Sequence, residues 1–251
     1  MPPVDREVAG PMIKPRLHAA PLAGISDRHY RFFLRCISPR VVVWSEMTWD
    51  CTILEAEKAG TLEAVVGFSE AEHPVVLQLA GSEPATLARA AKLGVDRGYD
   101  EVNLNCGCPA GQGGEVRACY GARLMLEPTR VAACCSAIRA AIGPSIPISV
   151  KCRLGVDGRD TYANLVEFVS TVAQSGAASH FVVHARLAML NLNAHRNHSI
   201  PPLHHDWVEQ LRRDFPAITF TLNGGIADEV EASELLLARG FDAVMLGRRA
   251  R

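Results

Sequence analysis

The chain has 251 residues, of which 48% are hydrophobic and 21% charged, and its formal net charge at pH 7 is −1. This length suits one large α/β barrel or two small domains, and the near-zero charge gives no global electrostatic argument for nucleic-acid binding. No apolar run approaches the length of a membrane span, so we expect no membrane association.

The N-terminal region and the cysteines bear on the location of the protein. Residues 1–15 contain several prolines and both signs of charge without the apolar segment of a secretory signal, so we expect a loosely ordered lead-in. The eight cysteines include no C-x-x-C pair of the kind that binds zinc or forms a redox motif. We therefore expect no metal site and a reducing, intracellular compartment, with the cytoplasm favoured and a plastid or mitochondrion left open.

Short apolar segments alternate with helical patterns along the whole chain. We predict eight strands, at residues 18–22, 41–47, 75–80, 101–106, 148–153, 180–186, 219–223 and 243–247. Capping residues or prolines mark the helix starts between them, as at Ser26 or Asp27, Pro84, Pro128, Asp160 and Asp228. One face of the first predicted helix is apolar, through Tyr30, Phe33, Leu34 and Ile37.

Eight strand-then-helix units within about 250 residues are typical of the (β/α)8 TIM barrel. We predict this α/β fold for residues 16–251, as one catalytic domain. A doubly wound open sheet is the alternative, but no G-x-G-x-x-G turn follows the first predicted strand. The chain ends a few residues after the eighth predicted strand, so we expect the last helix of the barrel to be lacking.

The segment 103–109, Asn-Leu-Asn-Cys-Gly-Cys-Pro, is the most informative part of the sequence. A strand's period of two sends Asn103 and Asn105 to the same face, and amides that face a protein interior need hydrogen-bond partners. Cys108 follows on a Gly-Cys-Pro turn, where it is well placed to meet a ligand. It could act as a thiolate nucleophile or as a thiol that donates a proton, or it could simply be a small buried hydrophobe.

Polar side chains recur at the carboxyl ends of the other predicted strands, which is the end where TIM barrels build their active sites. The strand-end residues are Gln78, Asn103, Asn105, Lys151, Arg153, His184, Arg186, Asn223, Gly224, Gly225, Gly247 and Arg248. Any one of these could be a buried polar group with its hydrogen bonds formed inside the core, or part of a salt bridge at the rim. Because they follow six different strands, the set predicts a functional site at one barrel mouth.

Two features of this set indicate an anionic ligand. The segments 223–226 and 247–249 follow the seventh and eighth predicted strands, where many barrels hold a phosphate. Glycines let backbone N–H groups approach an anion, and an arginine adds a bidentate clamp. Lys151 is a fixed cation that could stabilise negative charge on a reduced cofactor ring or an enolate-like substrate.

At these residues the chain resembles the flavin-dependent tRNA-dihydrouridine synthases, most closely the bacterial DusA type. The matching segments cover nearly the whole chain and in this order and spacing are highly specific. They include residues 20–22, 45–47, 73–79, 98–109, 121–125, 150–153, 184–186, 200–203, 223–226 and 247–248. The family continues with a lysine after the segment 184–186, whereas this chain has Leu187, and the helical domain that follows the family's barrel would lie beyond residue 251.

The resemblance implies an enzyme that reduces uridine to 5,6-dihydrouridine in the D-loop of tRNA, around position 20, with FMN as cofactor and NADPH as reductant. It implies that Cys108 is the proton donor and that Asn105, Arg153 and Arg186 lie near the target uracil or its phosphates. FMN would be held by Pro21, Leu22, Ala23, Gln78, Lys151, His184, Asn223, Gly224, Gly225, Gly247 and Arg248. We expect tRNA as the partner and a monomer.

Two other interpretations remain open from the sequence. One is a related FMN barrel that reduces or oxidises a free pyrimidine-like small molecule, since such enzymes use the same C5–C6 chemistry. The other is a truncated barrel that binds FMN weakly or serves only in interactions.

Overall fold

The computed structural model describes residues 16–109, 120–193 and 195–250, so the predicted lead-in of residues 1–15 lies outside the described residues. Eight parallel strands form a closed barrel in chain order, and the eighth pairs with the first. The strands are β1 (Leu17–Ala19), β2 (Val41–Trp49), β3 (Val75–Ala80), β4 (Glu101–Cys106), β5 (Ile148–Arg153), β6 (His180–His184), β7 (Thr219–Asn223) and β8 (Ala243–Leu246). The predicted TIM barrel is therefore confirmed.

Helices lie between the strands and cover the outside of the barrel. They are α1 (Arg28–Ile37), α2 (Asp50–Lys58), α3 (Leu62–Val66), α4 (Pro84–Asp96), α5 (Pro128–Ile142), α6 (Tyr162–Ala173), α7 (His205–Asp214) and α8 (Glu229–Leu237). Pro84 and Pro128 occupy the first turns of α4 and α5, where a missing N–H costs nothing. In the part of the chain that the structure describes, no helix has both the length and the apolar character needed to cross a bilayer.

The predicted bounds agree with the structure for β3, β4, β5 and β7 and differ by a few residues for the others. Strand β2 continues to Trp49 through an irregularity in its pairing with β3 between Trp44 and Met47. Strands β6 and β8 end at His184 and Leu246, so the polar residues that follow them lie in loops.

The register of the parallel ladders brings the polar strand ends to one rim. Asn105 pairs with Lys151 across β4 and β5, and Arg153 pairs with His184 across β5 and β6. His184 in turn pairs with Asn223 on β7. Because all eight strands run the same way, residues from four separate segments of the chain meet at this mouth.

Alternation along the strands separates an apolar outer face from an inner face that carries most of the buried polar side chains. On β5, Ile148, Val150 and Cys152 are fully buried in the main core, which lies between strands and helices. A smaller apolar cluster that includes Trp44 and Met245 is separate from this core. The strands are thus buried on both faces, as expected for a parallel barrel.

The first helix departs from its predicted face. Asp27, one of the two predicted caps, accepts hydrogen bonds from backbone N–H groups of the first turn. Phe33 and Ile37 are nevertheless 59% and 65% exposed, whereas Arg31 is only 4% exposed. The guanidinium of Arg31 donates to the carboxylate of Glu72 at 2.6 Å and to backbone carbonyls of neighbouring loops. A buried ion pair therefore fastens this helix to the barrel.

We predict that Glu72→Gln lowers the free energy of unfolding by about 3 kcal/mol, because removing one partner leaves the guanidinium of Arg31 buried without a compensating charge. Arg28→Ala, which removes the exposed pair with Glu63 at 3.9 Å, should cost less than about 1 kcal/mol and serves as the control. Urea unfolding of the two variants measures both values. Equal effects would contradict a stabilising role for the buried pair.

Candidate active site

Cys108 lies on a turn that several independent groups hold in place. The side-chain oxygen of Asn105 accepts from the backbone N–H groups of Gly107 and Cys108 at 3.1 and 2.9 Å. The carbonyl oxygen of Cys108 accepts from the N–H of Ala122 at 2.9 Å. This contact needs Gly121, which has a φ of +59° and whose Cβ, if present, would collide with that oxygen. The half-buried thiol is therefore carried by a rigid turn.

Arg153 lies beneath this turn rather than in the open mouth. Its side chain is buried and donates to the carbonyl oxygens of Gly107, Leu187 and Asn197 at 3.1, 3.3 and 3.2 Å. Burial, together with repulsion from Arg186, lowers its pKa to about 10, so it remains charged at pH 7. In the described geometry its guanidinium ties the Cys108 turn to the loop after β6.

Lys151 is held by an amide whose own orientation is fixed. The ammonium nitrogen donates to the side-chain oxygen of Asn223 at 2.9 Å, and the amide nitrogen of Asn223 donates to the carbonyl of Met245 at 2.8 Å. Burial and then repulsion from Arg153 lower the pKa of Lys151 to about 8, although a charge on Cys108 acts in the opposite direction. Lys151 is thus mostly charged at pH 7 and can lose its proton just above physiological pH.

His184 packs against a second histidine, His198, with ring centroids 5.3 Å apart. A Cβ on Gly224, which has a φ of +98°, would collide with the ring of His184, so this glycine permits the close approach. Burial lowers the pKa of His184 well below its usual value and that of His198 to about 4. Both rings are therefore neutral at pH 7 and can each donate one hydrogen bond and accept another.

The charges that further lower these two histidine pKa values are all positive. For His184 they come from Arg153, Lys151, His198 and Arg186, and for His198 they come from Arg153, Arg248, Lys151 and Arg186. The side chain of Arg248 is exposed, and that of Arg186 donates to the carbonyl of Pro201. This concentration of cations around neutral N–H donors favours an anionic ligand.

The remaining predicted cofactor residues lie at the same rim. The segment 21–23 follows β1. The next two residues, Gly24 and Ile25, donate backbone hydrogen bonds to the carboxylate of Glu46. Gly247 follows β8, and a Cβ there would meet no atom within 4 Å, so its backbone borders open space. Gly225 packs tightly against Leu203, which places the segment 201–203 beside the loop after β7.

The donor set fits a flavin mononucleotide. Cations and glycine backbone at the ends of β7 and β8 suit a phosphate group, whereas the ammonium of Lys151 and the neutral ring of His184 suit the polar edge of a heterocycle. Among the described residues, no group of three or more His, Cys, Asp or Glu side chains is arranged to hold a metal ion.

Sequence reasoning identified the strand-end residues but missed two groups that the structure adds. His198 lies in an irregular segment after β6, where no periodicity marks it. Glu46 lies at the irregularity in β2, within the family-like segment 45–47. Nothing in the sequence indicates that its carboxylate binds the loop after β1.

Comparison with known proteins agrees with this geometry. Residues 18–251 match the sequence model of the family described as dihydrouridine synthase (Dus). Two relatives carry the name tRNA-dihydrouridine(20/20a) synthase. The one from Xylella fastidiosa (strain 9a5c) is 42% identical over 253 residues, which cover 100% of this chain and 71% of the relative. The one from Salmonella typhi is 44% identical over 236 residues, which cover 94% of this chain and 68% of the relative.

Solved structures resemble the chain at the level of the fold. Morphinone reductase has a TM-score of 0.61 at 14% identity, over 93% of this chain and 82% of that one. A 2-naphthoyl-CoA reductase complex has the same TM-score at 9% identity, over 93% of this chain and 48% of that one. The sequence matches are the stronger finding and confirm the resemblance seen in the motifs. The chain belongs to the dihydrouridine synthase family of oxidoreductases.

Proposed function

We propose that this protein reduces uridine to 5,6-dihydrouridine in the D-loop of tRNA, around position 20, with FMN as cofactor and NADPH as reductant. The names of its relatives support the substrate and the position. The observation that carries the proposal is the placement of Cys108 on a fixed turn at the same rim as a cluster of cations. A thiol beside an anion-binding, amide-rich mouth suits proton donation to a planar ring above a flavin.

The residues that would hold FMN divide by chemistry. Gly224, Gly225, Gly247 and Arg248 would bind its phosphate, since Gly247 borders open space, Gly225 is exposed and Arg248 carries a positive charge. The ring system would lie among Gln78, Lys151, His184 and the segment formed by Pro21, Leu22 and Ala23, with Asn223 orienting the lysine. When bound and reduced, FMN supplies the hydride that adds to C6 of the uracil.

Cys108 would supply the proton that completes the reduction. Addition of a hydride at C6 and a proton at C5 saturates the C5–C6 double bond, and negative charge builds on C5 and O4 until the proton arrives. Lys151 lies on β5, beside the strand that leads into the Cys108 turn, where its positive charge would stabilise the negative charge that develops on the ring. The side chain of Asn105 holds the thiol's turn while this transfer occurs.

The target uridine would have to leave its stack to reach this mouth. A base inside folded tRNA is extruded before an enzyme can act on its ring, and recognition then depends on local shape and on charge. Arg186 lies half-buried at the rim, where it would approach tRNA phosphates. Such local contacts fit a chain with no overall positive charge.

We predict that Cys108→Ala keeps bound FMN and its reduction by NADPH but lowers the rate of tRNA reduction by about 100-fold or more, because general acid catalysis typically contributes that much. Dihydrouridine in tRNA, measured by mass spectrometry after reaction with purified enzyme, gives the rate. Cys36→Ala is the matched control, since Cys36 is exposed on α1. Loss of flavin colour in the Cys108 variant would mean that its role has been misassigned.

We also predict that FMN affinity falls about tenfold between pH 7 and pH 9, with a midpoint near pH 8. Lys151 is positive below its lowered pKa of about 8 and becomes neutral above it, so the attraction for an anionic cofactor is lost as the pH rises. Titration of FMN fluorescence at each pH measures the affinity. Lys151→Arg keeps its charge throughout and should remove the decline. An unchanged decline in that variant would exclude Lys151 as its cause.

A further inference from the structure

A continuous chain of hydrogen-bonded polar side chains runs through the inside of the barrel, from its base to the Cys108 turn. At the base, Glu101 is the first residue of β4 and His180 the first residue of β6. The Nδ1 atom of His180 lies 3.2 Å from a carboxylate oxygen of Glu101, and the hydroxyl of Ser149 on β5 donates to that same oxygen.

Three amides continue the chain from Ser149 to the opposite rim. The amide nitrogen of Asn103 donates to Ser149 Oγ at 2.8 Å, and that of Gln78 donates to the Asn103 oxygen at 2.8 Å. The amide nitrogen of Asn105 donates to the Gln78 oxygen at 2.9 Å. The oxygen of Asn105 is left to accept from the N–H of Cys108 at 2.9 Å. All four side chains between the base and the turn are buried.

The carboxylate at the base gives this chain of hydrogen bonds a direction. Burial alone would raise the pKa of Glu101, but the attraction of His180 and hydrogen bonds from His180 and Ser149 bring it below its usual value. Glu101 is therefore a carboxylate, which can only accept hydrogen bonds. Ser149 must donate its single proton to Glu101, so its oxygen can only accept from the next side chain, Asn103.

The orientation of each amide is then set by the preceding side chain, counted from the base of the barrel. Reversing Asn103 would set its oxygen against Ser149 Oγ, whose proton is already used, and its nitrogen against the nitrogen of Gln78. The same conflict would follow from reversing Gln78 or Asn105, since donors would face donors in a buried site. The charge at the base therefore determines that Asn105 presents its oxygen, and not its nitrogen, to the Cys108 turn.

We propose that Ser149 and Glu101 are positioning residues for the reaction at Cys108, acting through Asn103, Gln78 and Asn105. This inference rests on the proposed function for its catalytic consequence. Neither residue contacts the thiol, and both lie at the amino-terminal half of their strands, away from the mouth. Their effect is to keep the amide of Asn105 in the one orientation that orders the turn.

The test compares Ser149→Thr with Ser149→Val in the full chain loaded with FMN. The two side chains have the same shape, so they strain the barrel equally, and only threonine keeps the hydroxyl. We expect flavin oxidation by tRNA in a single turnover to be about tenfold slower in the valine variant than in the threonine variant. Valine cannot form the hydrogen bonds of the Ser149 hydroxyl, and a tenfold change corresponds to the usual free energy of one hydrogen bond. Reduction of the flavin by NADPH should differ less than twofold between them.

A second readout does not depend on uridine chemistry. The rate at which iodoacetamide alkylates Cys108, followed by peptide mass spectrometry, should differ about tenfold between the valine and threonine variants, because the turn loses its fixed partner. Equal alkylation rates, or equal rates of flavin oxidation by tRNA, would overturn the inference. If the wild-type protein fails to reduce tRNA, the proposed function is wrong, and the alkylation rates still decide whether Ser149 positions the thiol.

A second pair of variants applies if neither substitution at Ser149 folds. Ser149→Ala is compared with Thr221→Val, since the Thr221 hydroxyl bonds the Nε2 atom of His180 at 2.8 Å and lies off the path to Cys108. Both variants lose one buried hydrogen bond at the barrel base. We expect slower flavin oxidation by tRNA and altered alkylation only in Ser149→Ala. Equal behaviour of the two would show a purely structural role and overturn the inference.

Discussion

The closed register of eight parallel strands is the constraint on which the site depends. It sets Asn105 beside Lys151, Arg153 beside His184, and His184 beside Asn223, although these residues are far apart in the chain. A slip of one residue in any pairing would turn these side chains from the inside of the barrel to the helical layer. The apolar residues that alternate with them, buried under the helices, oppose such a slip. Packing of the outer face thus holds the polar inner face in place.

The mouth combines excess positive charge with groups that stay neutral. His184 and His198 are kept uncharged at pH 7 by burial and by surrounding cations, and Lys151 is left with a pKa near 8. Such an arrangement costs stability unless an anion compensates it, which is the condition that a bound phosphate or a reduced flavin would satisfy. The protonation states of these three side chains therefore depend on one electrostatic environment.

The sequence was sufficient for the fold and for most of the rim, because strand alternation and strand ends are local patterns. It predicted the bounds of β3, β4, β5 and β7 and the inward face of Lys151. It could not predict that Arg31 would be the buried residue of α1, since its partner Glu72 is 41 positions away. Nor could it show that Ser149 and Glu101 are linked to the Cys108 turn, because that chain of hydrogen bonds exists only after three strands have aligned.

We propose that a thiol, a lysine and a flavin meet at one mouth of this barrel. A crystal structure of the protein with bound FMN tests it most directly. We expect the flavin ring to lie against Lys151 and Gln78, with its phosphate in contact with Gly224 and Arg248. The thiol of Cys108 should face the ring across a space that a uracil can fill. Flavin bound elsewhere, or a Cys108 thiol directed away from the ring into the helical layer, would contradict it.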